Sequence, residues 1–231
     1  IVKTSETNID QLAELMVGRK VNLVVDKEQA KLGKEILRVE NLVAKDSKGL
    51  NVVDGVNITV NAGEIVGIAG VDGNGQSEFI EAITGLRKPE SGKVVLSDKD
   101  IYGKSTREII DSGLGHIPED RHKRGLILKY SLFENGILGL QHKKPFSKGI
   151  VMDYKAIREH CKKLIEEFDV RTPSDEVNAS ALSGGNQQKF IAAREISKNP
   201  ELLIASQPTR GVDVGAIEYI HKRLVQERDN G

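Results

Sequence analysis

Apolar and polar positions alternate from residue 36 to residue 69 on either side of the turn-forming stretch Asp46–Gly49, and this two-residue period predicts antiparallel strands with one buried face. Val94-Val95-Leu96 adds a strand after the turn Pro89-Glu90-Ser91-Gly92. Three further short apolar runs predict buried strands: Gly63–Ala69, Leu114–Pro118 and Leu202–Ala205. The period lengthens to a helical one at Phe79–Leu86, over most of residues 131 to 197, and at Gly215–Arg228. Within the long helical region Asp153 is placed to cap Tyr154–Phe168, and Pro173 ends the run. The pattern is that of an α/β protein with an antiparallel part and a separate helical part, without internal repeats or low-complexity tracts.

Two helix starts carry candidate chemistry. Leu182-Ser183-Gly184-Gly185-Asn186-Gln187-Gln188-Lys189 opens a helix with a hydroxyl and a glycine pair, so that free N–H groups and the positive end of the helix dipole face an approaching anion. Gly70-Val71-Asp72-Gly73-Asn74-Gly75-Gln76-Ser77 lies between a predicted strand and a helix and has the spacing G-x4-G-x-S of a phosphate loop. A third block, Ser206-Gln207-Pro208-Thr209-Arg210-Gly211-Val212-Asp213, follows the strand Leu202–Ala205.

In this order the three blocks resemble those of ATP-binding-cassette (ABC) proteins, with LSGGNQQK similar to the family's signature motif and the other two similar to the Walker A and Walker B/D-loop regions. The resemblance implies a P-loop NTPase fold with a RecA-like core sheet, an antiparallel β subdomain and an α-helical subdomain at about residues 125–195. It also implies ATP and Mg²⁺ as ligands. Gly70, Val71, Asp72, Gly73, Asn74, Gly75, Gln76, Ser77 and Glu78 would form the chain's own phosphate loop, with Ser77 reaching Mg²⁺. Ser183, Gly184, Gly185, Asn186 and Gln187 would close over ATP held by a partner cassette, with D-loop Asp213 nearby at the interface.

Several positions depart from the family's pattern. Gln76 stands where the family has the lysine that neutralises the β- and γ-phosphates, and a neutral amide donates without attracting. Ser206 and Gln207 occupy the places of the Mg²⁺-holding aspartate and the catalytic glutamate, and neither is a base near neutral pH. Glu119 replaces the glutamine of the Q-loop, and no aromatic residue precedes Phe79 to stack on adenine. Losing a charge-assisted hydrogen bond costs about 1.5–3 kcal/mol, and losing a stacked ring about 0.5–1.5 kcal/mol more. Affinity therefore falls by about thirtyfold to two-thousandfold. General-base catalysis alone is worth about 10²–10⁴ in rate, and Glu78 sets an acid where the helix dipole would meet phosphate. The chain alone is expected to lack meaningful ATPase activity, to bind ATP and Mg²⁺ weakly or not at all in its own site, and to lend its signature to a partner.

Starting at Ile1 without a methionine, signal peptide or anchor, the sequence reads as part of a longer polypeptide. Residues 7 to 19 resemble the end of the first cassette in fused two-cassette ATPases of sugar importers, so that residues 1–34 are expected to be the end of a preceding cassette and a linker, and residues 35–231 a nucleotide-binding domain. GVDGNGQSE and IASQPTRGVDVGAIE look most like the second cassette of the subgroup that imports nucleosides. The family pattern needs a further strand and a switch histidine after Gly215–Arg228, and neither is found before Gly231. The expected partners are the first cassette of the same polypeptide or a second copy, transmembrane permease subunits and, indirectly, a substrate-binding protein. The expected location is the cytoplasmic face of the membrane.

Composition narrows the alternatives. Lys plus Arg and Asp plus Glu both number 34, which gives no basic field for nucleic acid. No window approaches a transmembrane span. Cys161 falls with Ile157, Leu164, Ile165 and Phe168 at helical spacing and reads as a buried thiol. The five histidines show no ligand spacing, so no metal other than Mg²⁺ is expected. Asp120-Arg121-His122-Lys123-Arg124 is either a grip on a permease helix or a solvated loop, and Asp213 is either an interface residue or a surface N-cap. A non-catalytic scaffold that docks the permease without binding ATP, and a non-transport ABC module, remain as alternative functions.

Overall fold

A computed structural model describes residue 3 and residues 7–20, 22 and 24–231. Ile1, from which the N-terminal reading starts, lies outside them, as do Val21 and Leu23 of the expected linker and the side chains of Asp10, Ala13, Met16 and Val17.

Helix α1 (Ile9–Val17) is held by a capping box, in which Asn8 accepts from Gln11 N–H and Gln11 returns the bond to Asn8 N–H. Strands β1 (Glu35–Lys45) and β2 (Asn51–Asn61) form the expected antiparallel hairpin. At its turn the Asp46 carboxylate accepts from Lys48 and Leu50 N–H, and Gly49 adopts φ 82°. β3 (Ser91–Leu96) pairs on the other side of β1, and β4 (Lys99–Asp100) closes the sheet in the order β2-β1-β3-β4. Leu42, Val94 and Leu96 from this sheet pack with Phe79, Ala82 and Ile83 of α2 (Gln76–Ile83).

After α3 (Thr106–Asp111), β5 (Leu114–Ile117) runs parallel to β8 (Leu202–Ala205), with Leu114 opposite Leu202 and Ile117 opposite Ala205. Between them comes the helical part: a short π-helical turn Arg121–Gly125, α4 (Leu132–Gly136), the small ribbon β6 (Ser147–Lys148) and β7 (Val151–Met152), α5 (Tyr154–Glu167) and α6 (Gly184–Ile196). Asp153 caps α5 through Ala156 N–H as predicted. Leu132, Cys161, Leu164, Phe168, Phe190 and Ile191 form the core here. The Cys161 thiol is fully buried and pushed up to about 12, mainly by desolvation, so it is an inert core group. α7 (Val214–Asp229) follows β8.

One expected strand is absent. Gly63–Ala69 joins no sheet, and Ile65, Val66 and Ile68 are exposed rather than buried. An apolar run becomes a strand only when a neighbour offers rungs, and here the segment and β8 instead both border a cavity of about 1670 Å³, which Asn230 and Gly231 also line.

Candidate functional site

The phosphate loop enters α2 through Gly75, which caps the helix at φ 93°. A Cβ on Gly75 would come within 2.2 Å of the Val52 carbonyl, so only glycine permits this approach. Gln76 does not point outward into solvent. Its Nε2 donates to the Val71 carbonyl at 3.3 Å, and a Cβ on Gly70 would collide with that same nitrogen. The amide therefore sits in the loop's own cradle, while Ser77 is exposed.

At the end of β8, Ser206 N–H donates to the Ile117 carbonyl at 2.9 Å, and its buried Oγ has no hydrogen-bond partner among the described residues. Gln207 takes a left-handed φ of 44°, and its Nε2 donates to Glu119 Oε1 at 3.1 Å. Glu119 is also paired with Arg210. Gly70, Asp72, Gln76, Ser77, Glu119, Ser206 and Gln207 all line the 1670 Å³ cavity, whereas Val71, Gly73, Asn74, Gly75 and Glu78 of the predicted phosphate loop are not part of its lining. Of the carboxylates lining the cavity, Glu119 is engaged by Arg210 and Gln207. Among the described residues no group of three or more His, Cys, Asp or Glu could hold a metal. His116 lines the same cavity, and burial drives its pKa down to about 4, so the ring is neutral.

The signature residues stand apart from this cavity. Ser183 caps α6, and its Oγ accepts from Asn186 N–H at 3.4 Å and from Asn186 Nδ2 at 3.0 Å. Ser183 is exposed, Gly184 and Asn186 are half-buried, and none of residues 183–187 borders the phosphate-loop cavity. Gln187 does not join the outward set. It is buried, with its Oε1 at 2.9 Å from His122 Nε2 and its Nε2 donating to the Ala179 carbonyl at 3.0 Å. The glycine pair has a packing reason that the sequence did not reveal: a Cβ on Gly185 would lie 2.5 Å from Asp213 Oδ2, and one on Gly184 would lie 3.0 Å from Arg121 Nη2. Asp213 is both cap and neighbour, since its Oδ1 accepts from Ala216 N–H at 3.0 Å.

Asp120–Arg124 is a surface turn, exposed except at the half-buried Arg121, and its side chains are nonetheless engaged. Asp120 accepts from His122 and Lys123 N–H, and these bonds, the one from Lys123 foremost, hold its carboxyl below the usual range. Arg121 donates to the Arg210 and Gly211 carbonyls, His122 meets Gln187, and Arg124 is paired with Glu81.

An antiparallel sheet, a parallel strand pair, a glycine-rich phosphate loop entering α2 and a helical part presenting a capped glycine helix together define a P-loop ATP-binding cassette. By the match of its residues 53–210 to the ABC transporter model, the chain belongs to the ABC transporter family. It is 53% identical over 226 residues to the guanosine import ATP-binding protein NupO of Bacillus subtilis (strain 168), covering 98% of this chain and 44% of that protein. It is 52% identical over 230 residues to the nucleoside import ATP-binding protein NupA of Lactococcus lactis subsp. cremoris (strain MG1363), covering 100% of this chain and 46% of that protein. The chain thus spans less than half the length of these curated relatives. The crystal structure of a nucleotide-free ATP-binding cassette from an ABC transporter superposes with a TM-score of 0.71 at 27% identity, covering 85% of this chain and 78% of that one. No helix among the described residues is long and apolar enough to cross a membrane.

Proposed function

We propose that the chain is a nucleotide-binding domain of an ATP-driven importer of nucleosides or simple sugars, impaired at its own Walker positions and supplying its signature to the ATP site of a partner cassette. The observation that carries this reading is the separation of two helix starts. The α2 start holds Gln76 in its cradle, whereas the α6 start presents Ser183 and Asn186 away from that cavity. ATP and Mg²⁺ would be held chiefly by the partner, which supplies the charges that Gln76, Ser206 and Gln207 lack. This chain's part is to offer the Ser183 hydroxyl and the free N–H groups of α6 to the γ-phosphate.

Residues 1–34 are read as the end of a preceding cassette and its linker, and residues 35–231 as the domain itself. Permease subunits, and through them a substrate-binding protein, are the other partners, at the cytoplasmic face of the membrane. Nucleoside is favoured as cargo over simple sugar because the two relatives above are named for guanosine and nucleoside import.

Ser183→Arg in the complete assembly is expected to stop ATP turnover, and normal hydrolysis with that substitution would refute the shared site. Uptake of labelled guanosine against labelled ribose by vesicles carrying the assembly decides the cargo. A scaffold that binds no nucleotide in its own loop is separated from a weak binder by titrating a fluorescent ATP analogue with and without the partner cassette.

A further inference from the structure

Glu119 and Arg121 both reach across some ninety residues of sequence to one loop, Gln207–Gly211. Arg121 Nη1 donates to the Arg210 carbonyl at 2.9 Å, and Nη2 donates to the Gly211 carbonyl at 3.4 Å. The same guanidinium lies against Gly184, where an added Cβ would meet Nη2 at 3.0 Å and the Gly211 carbonyl at 3.3 Å. Glu119 takes the other end of the loop, accepting from Gln207 Nε2 at 3.1 Å and pairing with the Arg210 side chain.

Building on the shared-site reading above, we propose that Glu119 and Arg121 are positioning residues that clamp the Gln207–Gly211 loop to the start of α6, so that Ser183, Asn186 and Asp213 meet the partner's triphosphate as one rigid face. Three features support the clamp. Gln207 holds a left-handed backbone, uncommon for an L-residue, at a turn closed by Arg210 N–H donating to its carbonyl, and its side chain is tied to Glu119. The planar fork of arginine binds two successive carbonyls at once, which a lysine cannot do. Beyond the loop, Asp213 rests on Gly185, so both signature glycines touch the Arg210–Asp213 stretch or the side chain that holds it.

The Glu119–Arg210 pair is solvent-accessible, with Arg210 60% exposed, so it adds little to folding stability. Its contribution lies in geometry, because small misplacements of groups around a reacting phosphate cost rate steeply. This separates the Glu119 arm of the clamp from an ordinary structural contact: removing it should lower turnover while leaving the folded state as stable as before.

The test uses the complete transporter assembly containing this chain, reconstituted in vesicles, with Ser183→Arg as reference. Glu119→Gln and Arg121→Gln are each expected to lower kcat for ATP hydrolysis by about tenfold to a hundredfold, with KM for ATP within about twofold of the parent. The urea unfolding midpoint of Glu119→Gln should stay unchanged, because the pair it breaks is solvent-accessible. The exchanged pair Glu119→Arg with Arg210→Glu is expected to regain most of the rate lost by Glu119→Arg alone. Unaltered kcat in both single variants, with turnover abolished by Ser183→Arg, would overturn the clamp and leave the shared site standing. Normal turnover with Ser183→Arg would overturn both. A fall in the unfolding midpoint that parallels kcat, with no recovery in the exchanged pair, would reduce the two residues to structural supports and also reject the proposal.

Discussion

Gln76 Nε2 donates to the Val71 carbonyl 3.3 Å away, so the side chain heading α2 fills the loop that it would have to open for a phosphate. A lysine at this position adds a charge-assisted bond worth about 1.5–3 kcal/mol to a triphosphate. Gln76→Lys is therefore expected to tighten ATP binding to the isolated chain by about tenfold to a hundredfold. Hydrolysis should stay at background, since Ser206 and Gln207 still supply no carboxylate. Fluorescent-analogue titration beside a phosphate-release assay checks both halves, and recovery of turnover by this one change would contradict the account of the Walker B positions.

Gly185 is pressed against Asp213, whose second carboxylate oxygen caps α7. Gly185→Ala should destabilise the fold by about 1–3 kcal/mol through overpacking, despite alanine's better helix propensity. In an Asp213→Ser background, which keeps a shorter cap, most of that cost should disappear. Urea denaturation of the four proteins of this cycle gives the answer, and an undiminished cost would mean that the close contact is not the cause.

A buried ion triad closes α6. Glu195 accepts from Arg194 Nε at 2.8 Å and from Lys198 Nζ at 2.8 Å, and it also accepts from the main-chain N–H of His116 at 3.2 Å. Burial pushes its carboxyl up, but the two cations outweigh this and keep it below the usual range. Glu195→Ala leaves Arg194 and Lys198 buried without their shared anion, at an expected cost of about 3–5 kcal/mol. A loss below about 1 kcal/mol in the unfolding free energy would show that the cations find other partners.

His116 makes stability fall with acid. Its pKa drops from 6.5 to about 4 on folding because burial penalises the charged ring, a penalty that the nearby Glu195 carboxylate only partly offsets. The unfolded chain binds this proton first, so the contribution is complete above about pH 6.5 and is lost as pH falls towards 4. Between pH 7 and pH 5 the group should remove about 2 kcal/mol of unfolding free energy. His116→Gln should flatten that part of the pH profile, and a profile of unchanged slope would assign the acid sensitivity to other groups.

Much of this architecture was legible in local patterns. The hairpin around Asp46–Gly49, the Asp153 cap and the Ser183 cap each depend on residues a few positions apart, so a single sequence carries them. What was not legible depends on distant neighbours. Gly63–Ala69 reads as a buried strand, yet strand formation is a property of a pair of segments. Gln187 looks like one more outward amide of the motif until His122 and Ala179 are folded onto it. Nothing near Arg121 in sequence announces its bonds to Arg210 and Gly211, and nothing near Gly185 announces Asp213. The residue types at Gln76, Ser206 and Gln207 could be read directly, because they stand within recognisable blocks.

Ile65, Val66 and Ile68 lie 57%, 39% and 53% exposed on a stretch that joins no sheet. Such a ribbon is a template for any other chain that can add to it. This polypeptide should therefore be prone to self-association that deepens with concentration.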